Sequence, residues 1–262
     1  MMNMISDESH TYAANEEGQL LLVEDNSALS LPPLTLALFQ EATVDFTHEL
    51  SDMPLPDLYG ATDGKAVGTK VESMFKDFLK ERYDFEPGNA ANGLDFPSLN
   101  LDLKVTSKRQ PQSSSPFRSA TQKIYGLGYH LLVIVYDKHD DHDKEAAFLT
   151  IEHAIFIDAS RTGDYTLTKA IRAIVSEVEE DSACITSREA AVDDLDALLQ
   201  DKNVPLDDAS RRQLAEQLLD SVPEQGVLTI SNALQWRLQY SRAINIAVQR
   251  KISPEVEDLN AQ

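Results

Sequence analysis

Two carboxylates and an ammonium interrupt an apolar and hydroxylic stretch, "GLDFPSLNLDLKVTS" at residues 93–107: Asp95, Asp102 and Lys104. Leu101, Leu103 and Val105 alternate with Asp102, Lys104 and Thr106. This period of two predicts a strand with apolar residues on one face and the two charges side by side on the other. A turn at Pro97-Ser98-Leu99-Asn100 joins it to a first short strand and brings Asp95 back toward Asp102. Carboxylate oxygens suit a hard divalent cation such as Mg²⁺, which takes one or two of them and fills its shell with water and substrate oxygens. Such a cation neutralises an anionic ester and lowers the pKa of the attacking water. A lysine beside it orients that water and offsets developing negative charge. The chemistry expected is hydrolysis of a phosphodiester. Asp95 and Asp102 would hold Mg²⁺, with Mn²⁺ as its substitute, and Lys104 would position water.

These residues need a frame. Upstream, Val71, Met74, Phe75, Phe78, Leu79 and Tyr83 in "GTKVESMFKDFLKERY" recur at helical spacing and predict an amphipathic helix. Glu72 borders its apolar stripe, within reach of the sheet as a further carboxylate. Downstream, "HLLVIVYD" has the continuous apolar character of a strand buried on both faces. "KHDDHDKE" reads as a solvated turn, "AAFLTIEHAIFI" as a strand and "TLTKAIRAIVSEVEE" as a helix. A helix is also expected over 34–50, and another from near Pro116 to the Gly126/Gly128 pair. Three more are expected at 187–200, 207–220 and 231–250, the last with Ser231 as N-cap. The first ~30 residues, polar and weakly periodic, read as a loosely ordered arm. The division expected is an acidic arm and helix over 1–63, a catalytic α/β core over 64–182, and a helical C-terminal region over 183–262.

The formal net charge of -21 is unevenly spread. Residues 1–64 hold 12 Asp or Glu and no Lys or Arg, and residues 176–208 hold 11 acids against Arg188 and Lys202. Two basic islands lie in the neutral remainder. One is Lys104, Lys108, Arg109, Arg118 and Lys123 against Asp102 alone; the other is Arg237, Arg242, Arg250 and Lys251 with no acid between 225 and 251. A polyanion-binding face on an acidic body is the expectation. No run reaches the ~18 to 20 apolar residues of a membrane span. The lone Cys184 suits a reducing compartment, no basic-then-apolar leader is visible at the N-terminus, and a cytoplasmic protein is expected.

The order helix with Glu72, hairpin with Asp95, strand with Asp102 and Lys104, helix, apolar strand resembles the PD-(D/E)XK nuclease superfamily, to which most restriction endonucleases belong. "DFP", six residues between the acids and an acid-Leu-Lys strand are similar to the mismatch-repair nicking endonuclease MutH and its restriction-enzyme relatives. "GKAVGTKVESMF" is similar to their segment carrying a catalytic-site Glu, which nominates Glu72. The resemblance covers residues 64–136. Two positions depart from the MutH pattern: no Pro directly precedes Asp95, and the second acid is Asp102 instead of Glu. The resemblance implies a restriction-endonuclease-like α/β core, a central mixed sheet flanked by helices. It implies a Mg²⁺-dependent, sequence-specific endonuclease of the Type II restriction kind acting on double-stranded DNA. A MutH-like nicking or other repair nuclease is the alternative, and a non-cleaving DNA-binding module with the same fold is the alternative of a different class. A palindromic site would favour a homodimer. The loop after Lys104 would meet the duplex first, which nominates Lys108, Arg109, Gln110, Gln112, Ser113, Arg118 and Lys123 as DNA-binding residues.

Overall fold

A computed structural model describes residues 5–7, 10–14, 20–23, 31–88, 93–115, 118–180, 185–231, 236–249 and 255–261. Strands β1 (Ile5–Asp7), β2 (His10–Ala14) and β3 (Leu20–Val23) pair as an antiparallel meander. The segment expected to be a loosely ordered arm thus carries regular pairing, in strands too short to register as a period. Helix α1 (Leu36–Asp52) starts where the Thr35 hydroxyl accepts the Leu38 N–H, and α2 (Gly64–Lys80) where the Asp63 carboxylate accepts that of Lys65. Then come β4 (Leu101–Ser107), β5 (Gln112–Ser115), the single turn α3 (Gln122–Tyr125), and the long hairpin of β6 (His130–Asp141) and β7 (Ala146–Ile157). Helices α4 (Tyr165–Glu180), α5 (Ile185–Asp201) and α6 (Asp208–Asp220) follow, and the chain ends with β8 (Thr229–Ser231), β9 (Trp236–Gln239), α7 (Ser241–Val248) and β10 (Val256–Asp258).

The central sheet is mixed, in the order β10–β7–β6–β4, with β4 parallel to β6 and the other pairs antiparallel. Leu132 and Ile134 of β6 pack with Phe39, Phe46 and Phe75 of α1 and α2, while Leu131, Val133 and Val135 pack with Leu228, Leu238 and Tyr240 on the other side. This double burial accounts for a run with no polar side chain from Leu131 to Val135. A third cluster joins α4, α5 and α6 through Leu167, Ile171, Leu195, Leu199, Leu214 and Leu218. The fold is the α/β core, a mixed sheet flanked by helices, that the resemblance implies.

Several local expectations change. Residues 231–250 are not one helix: Ser231 ends β8, β9 follows, and among the described residues of this range only Ser241–Val248 is helical. The alternation of Ile230 and Leu238 with polar neighbours carries the strand period, and both are buried. The region past 183 therefore contributes strands as well as helices, and β10 completes the central sheet. The helix expected from Pro116 shrinks to Gln122–Tyr125; residues 116–117 lie outside the described residues. The first strand expected before Pro97 is a single bridge, Phe96 to Leu101, around a 3-10 turn at Pro97–Leu99 that ends on Asn100 at φ 50. β6 continues to Asp141, which confines the turn to 142–145.

Candidate active site

β4 is an edge strand, so one side of its backbone lacks a strand partner. The Phe96–Leu101 bridge folds the chain against that side. Phe96 is fully buried and edge-on to Phe39, with ring centroids 4.9 Å apart. This anchoring delivers the neighbouring Asp95 to the open edge, where its Oδ2 accepts the Leu103 N–H at 3.0 Å. On β4 itself Leu101 and Leu103 enter the aromatic core, and Asp102, Lys104 and Thr106 face the other way. Lys104 Nζ lies 2.6 Å from Asp102 Oδ2. The alternation in the sequence thus has the outcome expected of it.

The carboxylates influence one another strongly. Asp102 is only 6% exposed. Burial drives its pKa up to about 6; Lys104 opposes the rise and the neighbouring Asp95 adds to it. Burial pushes Asp95 upward too, but hydrogen bonds with Asp102, Lys76 and the Leu103 N–H outweigh it and hold the group below the usual carboxylate range. Burial pulls the pKa of Lys104 down, but the charge and hydrogen bond of Asp102 together with the charge of Asp95 outweigh it and raise the pKa. Two adjacent acids of opposite tendency hold a proton between them only below about pH 6.

A residue that sequence reasoning passed over sits among them. Lys76 Nζ contacts Glu72 Oε1 at 2.5 Å and Asp95 Oδ1 at 3.0 Å, and its side chain is mostly buried. Lys76 follows Glu72 by four residues, so the helical period of α2 places both on one face. That spacing was the available signal. Glu72, Asp95, Asp102 and Lys104 therefore come together as one cluster with Lys76 added. Among the described residues no three carboxylates or imidazoles form a metal cage. The donor set instead suits a cation that keeps waters and substrate oxygens, because two adjacent carboxylates supply hard oxygens and leave the remaining positions open.

The DNA-binding candidates divide. Arg109 and Gln110 are exposed on the turn after β4, and Gln112 begins β5. Arg118 lies against Gly93, where an added Cβ would come within 2.8 Å of its Nη2. Lys108 is held between Asp137 at 2.7 Å and Glu152 at 2.8 Å, which already neutralise it. Ser113 turns inward onto the Tyr240 hydroxyl at 2.5 Å. Lys123 is buried, with its ammonium donating to the Lys202 carbonyl at 2.9 Å and its pKa lowered mainly by burial. Lys123 is not brought to an open surface as the loop reading expected, because its ammonium has an internal partner; Ser113 is half-buried, and Lys108 is exposed but ion-paired. Arg237, from the second basic island and on β9 beside β5, is a further exposed cation of this neighbourhood.

The raised pKa of Asp102 sets a pH dependence with a definite sign. An acid whose folded pKa exceeds its unfolded value of 3.8 lends stability below that value and loses it as pH rises through about 6. A divalent cation bound there restores the ionised form and must displace the proton to do so. The rise in melting temperature on adding the cation is therefore expected to be larger above about pH 7 than below about pH 5. A cation effect independent of pH across that interval, in a thermal melt, would reject Asp102 as the ligand.

Comparison with known proteins adds independent findings. The sequence model of the family described as Type II restriction enzyme NspV matches residues 33–253. The Type II restriction enzyme NspV of Nostoc sp. is 49% identical over 216 residues, which span 82% of this chain and 93% of that protein. No solved structure matches the chain. No described helix is long and apolar enough to cross a membrane.

Proposed function

The chain belongs to the NspV family of Type II restriction enzymes, and from that premise we propose that its sequence-specific cleavage of DNA is performed by the cluster at the edge of β4. Enzymes of this kind generally need a divalent metal ion; here Asp95 and Asp102 would hold it, and Mg²⁺ suits their hard oxygens, with Mn²⁺ as a substitute. When bound, the metal lowers the pKa of a water and neutralises the phosphate. Lys104 orients that water and stabilises charge as it develops on the phosphate oxygens. Glu72 would assist directly or through a water. Arg109, Gln110, Gln112 and Arg118 line the approach and would meet the duplex. A two-fold dimer would present one such site to each strand of a palindrome.

The observation that carries this reading is the pairing of a buried Asp102 with Lys104 on the same strand face, beside Asp95 fixed on the Leu103 N–H. It favours cleavage over a non-cleaving module, since a module that only binds gains nothing from a buried acid and a half-buried one facing its phosphates. Incubation of the protein with unmethylated phage DNA is expected to give discrete fragments in Mg²⁺ or Mn²⁺ and none with EDTA. In Ca²⁺ the same DNA should be retarded and left intact, because the looser geometry of Ca²⁺ holds DNA without orienting the water. Fragments that persist in EDTA would rule out the metal-dependent site.

A further inference from the structure

In one small sheet the buried apolar residues Leu238 and Ile230 share a face, and the opposite face is polar. In the sheet β5–β9–β8, Ser113 stands opposite Leu238 and Leu238 opposite Ile230. Leu238 and Ile230 are buried and Ser113 bonds to the fully buried Tyr240. The intervening residues occupy the other face. There Gln112 stands opposite Gln239 and Ser114 opposite Arg237, with Thr229 and Ser231 completing the two rows. Ser114, Arg237 and Gln239 are exposed, and among the described residues no hydrogen bond or ion pair engages their side chains.

The composition of this face departs from the rest of the chain. With 44 Asp and Glu against 23 Lys and Arg, the surface is strongly acidic, yet these six positions hold no carboxylate. They offer one guanidinium, two amides and three hydroxyls. Such a face can enter a groove walled by phosphates without repulsion, and a short β-ribbon fits the major groove of B-form DNA. The face is also tied to the catalytic strand. Thr106 Oγ1 accepts the Gln112 N–H at 3.1 Å and donates to the Gln112 carbonyl at 3.2 Å, and the Tyr240 N–H donates to the Pro111 carbonyl at 2.9 Å. Thr106 and Asp102 share a face of β4, four residues or roughly 13 Å apart at strand rise. That distance is about four base pairs of duplex, so a base read here falls within a short site around the cut.

We propose that the outer face of β5–β9–β8 is the surface that reads the DNA sequence, with Arg237 bonding a guanine and Gln112 and Gln239 bonding adenines in the major groove. A guanidinium fork matches guanine O6 and N7, and a glutamine amide matches adenine N6 and N7. Paired strands hold these groups in fixed relation, which the 108–111 turn alone would not. The assignment rests on the reading of the protein as a sequence-specific nuclease.

The test uses the full-length protein and its Arg237→Ala, Arg237→Lys and Gln239→Ala variants. Binding to a duplex bearing the cleaved site and to a random duplex is measured in Ca²⁺ across salt. The cleavage products of a pool randomised around that site are sequenced in Mg²⁺. Arg237→Ala is expected to lose about 5- to 150-fold in affinity for the site and little for random duplex. It should also relax the preference at a guanine-bearing position. Arg237→Lys should relax the same position, because lysine keeps the charge and loses the fork. Gln239→Ala should relax an adenine position, and it carries the test alone if the arginine variants melt early. An unchanged site profile in all three variants overturns the proposal. So does an equal loss on every duplex with a flatter salt slope and rescue by lysine, which marks a phosphate contact. Wild-type protein that cuts the pool without preference would overturn the underlying reading, and is seen before any variant is made.

Discussion

Lys104→Ala is expected to cut DNA about 10²- to 10⁴-fold more slowly than the wild type, the range lost with a positioned proton-handling or charge-stabilising group. The reason lies in where the ammonium is held. Its 2.6 Å contact with Asp102 keeps it on the strand face that carries the acid, so it would arrive with the proposed metal ligand at one phosphate. Loss of Lys104 leaves Asp102 buried beside Asp95 without its counter-charge, and the carboxyl would answer by keeping its proton to a higher pH. The aromatic core under Leu101 and Leu103 is untouched, so the fold should persist. Asp102→Ala is expected to abolish cleavage and to tighten DNA binding without metal, since a carboxylate facing a phosphate is removed. Single-turnover cleavage at saturating metal, with melting temperature as control, checks both. Wild-type rates in either folded variant would refute the mechanism.

Phe96→Ala is expected to be the most destabilising change near the site, by about 3 to 5 kcal/mol. The ring is fully buried, with centroids 4.9 Å from Phe39, 5.9 Å from Phe85 and 6.1 Å from Phe75. Its removal empties the centre of an aromatic cluster and releases the turn that presents Asp95. Stability and cleavage should therefore fall together. Phe96→Leu retains much of the volume, should fold, and should still cut more slowly because Asp95 loses its fixed position. Urea unfolding monitored by circular dichroism gives the stability change. A cost below about 1 kcal/mol for the alanine variant would show that the turn is held by something else.

The strand that carries Asp102 and Lys104 was legible in the sequence because two constraints coincided there. Period-two alternation decided which face Asp102 and Lys104 share, and the apolar run of β6 announced the buried strand beside it. Helix α2 was equally plain, since six apolar residues on one stripe admit few other readings. The C-terminal segment was not. Its strands are three and four residues long, shorter than the window in which a period becomes visible, and Trp236 and Tyr240 at i, i+4 imitate a helix. The partners of Lys108, Ser113 and Lys123 were hidden from the sequence for a related reason. Charge and loop composition say what a side chain can bond to, while Asp137, Tyr240 and the Lys202 carbonyl, distant in sequence, decide what it does bond to. Lys76 carried a usable clue in its spacing from Glu72, but an i, i+4 pair is so common on helices that it did not stand out.

Lys76 also bears on how the enzyme exists before it meets its cofactor. A tethered ammonium already lies between Glu72 and Asp95, so the acids are partly compensated by the chain's own charge. Folding then has no need of a free ion, and a chelated preparation is expected to be intact and idle. If Asp95 holds the metal as proposed, the ion would take it by exchange with a competitor whose supply never dilutes because it is covalently attached. Half-maximal cutting would then need more free ion than the bare carboxylates would require. The length of one lysine side chain would act as a safety catch.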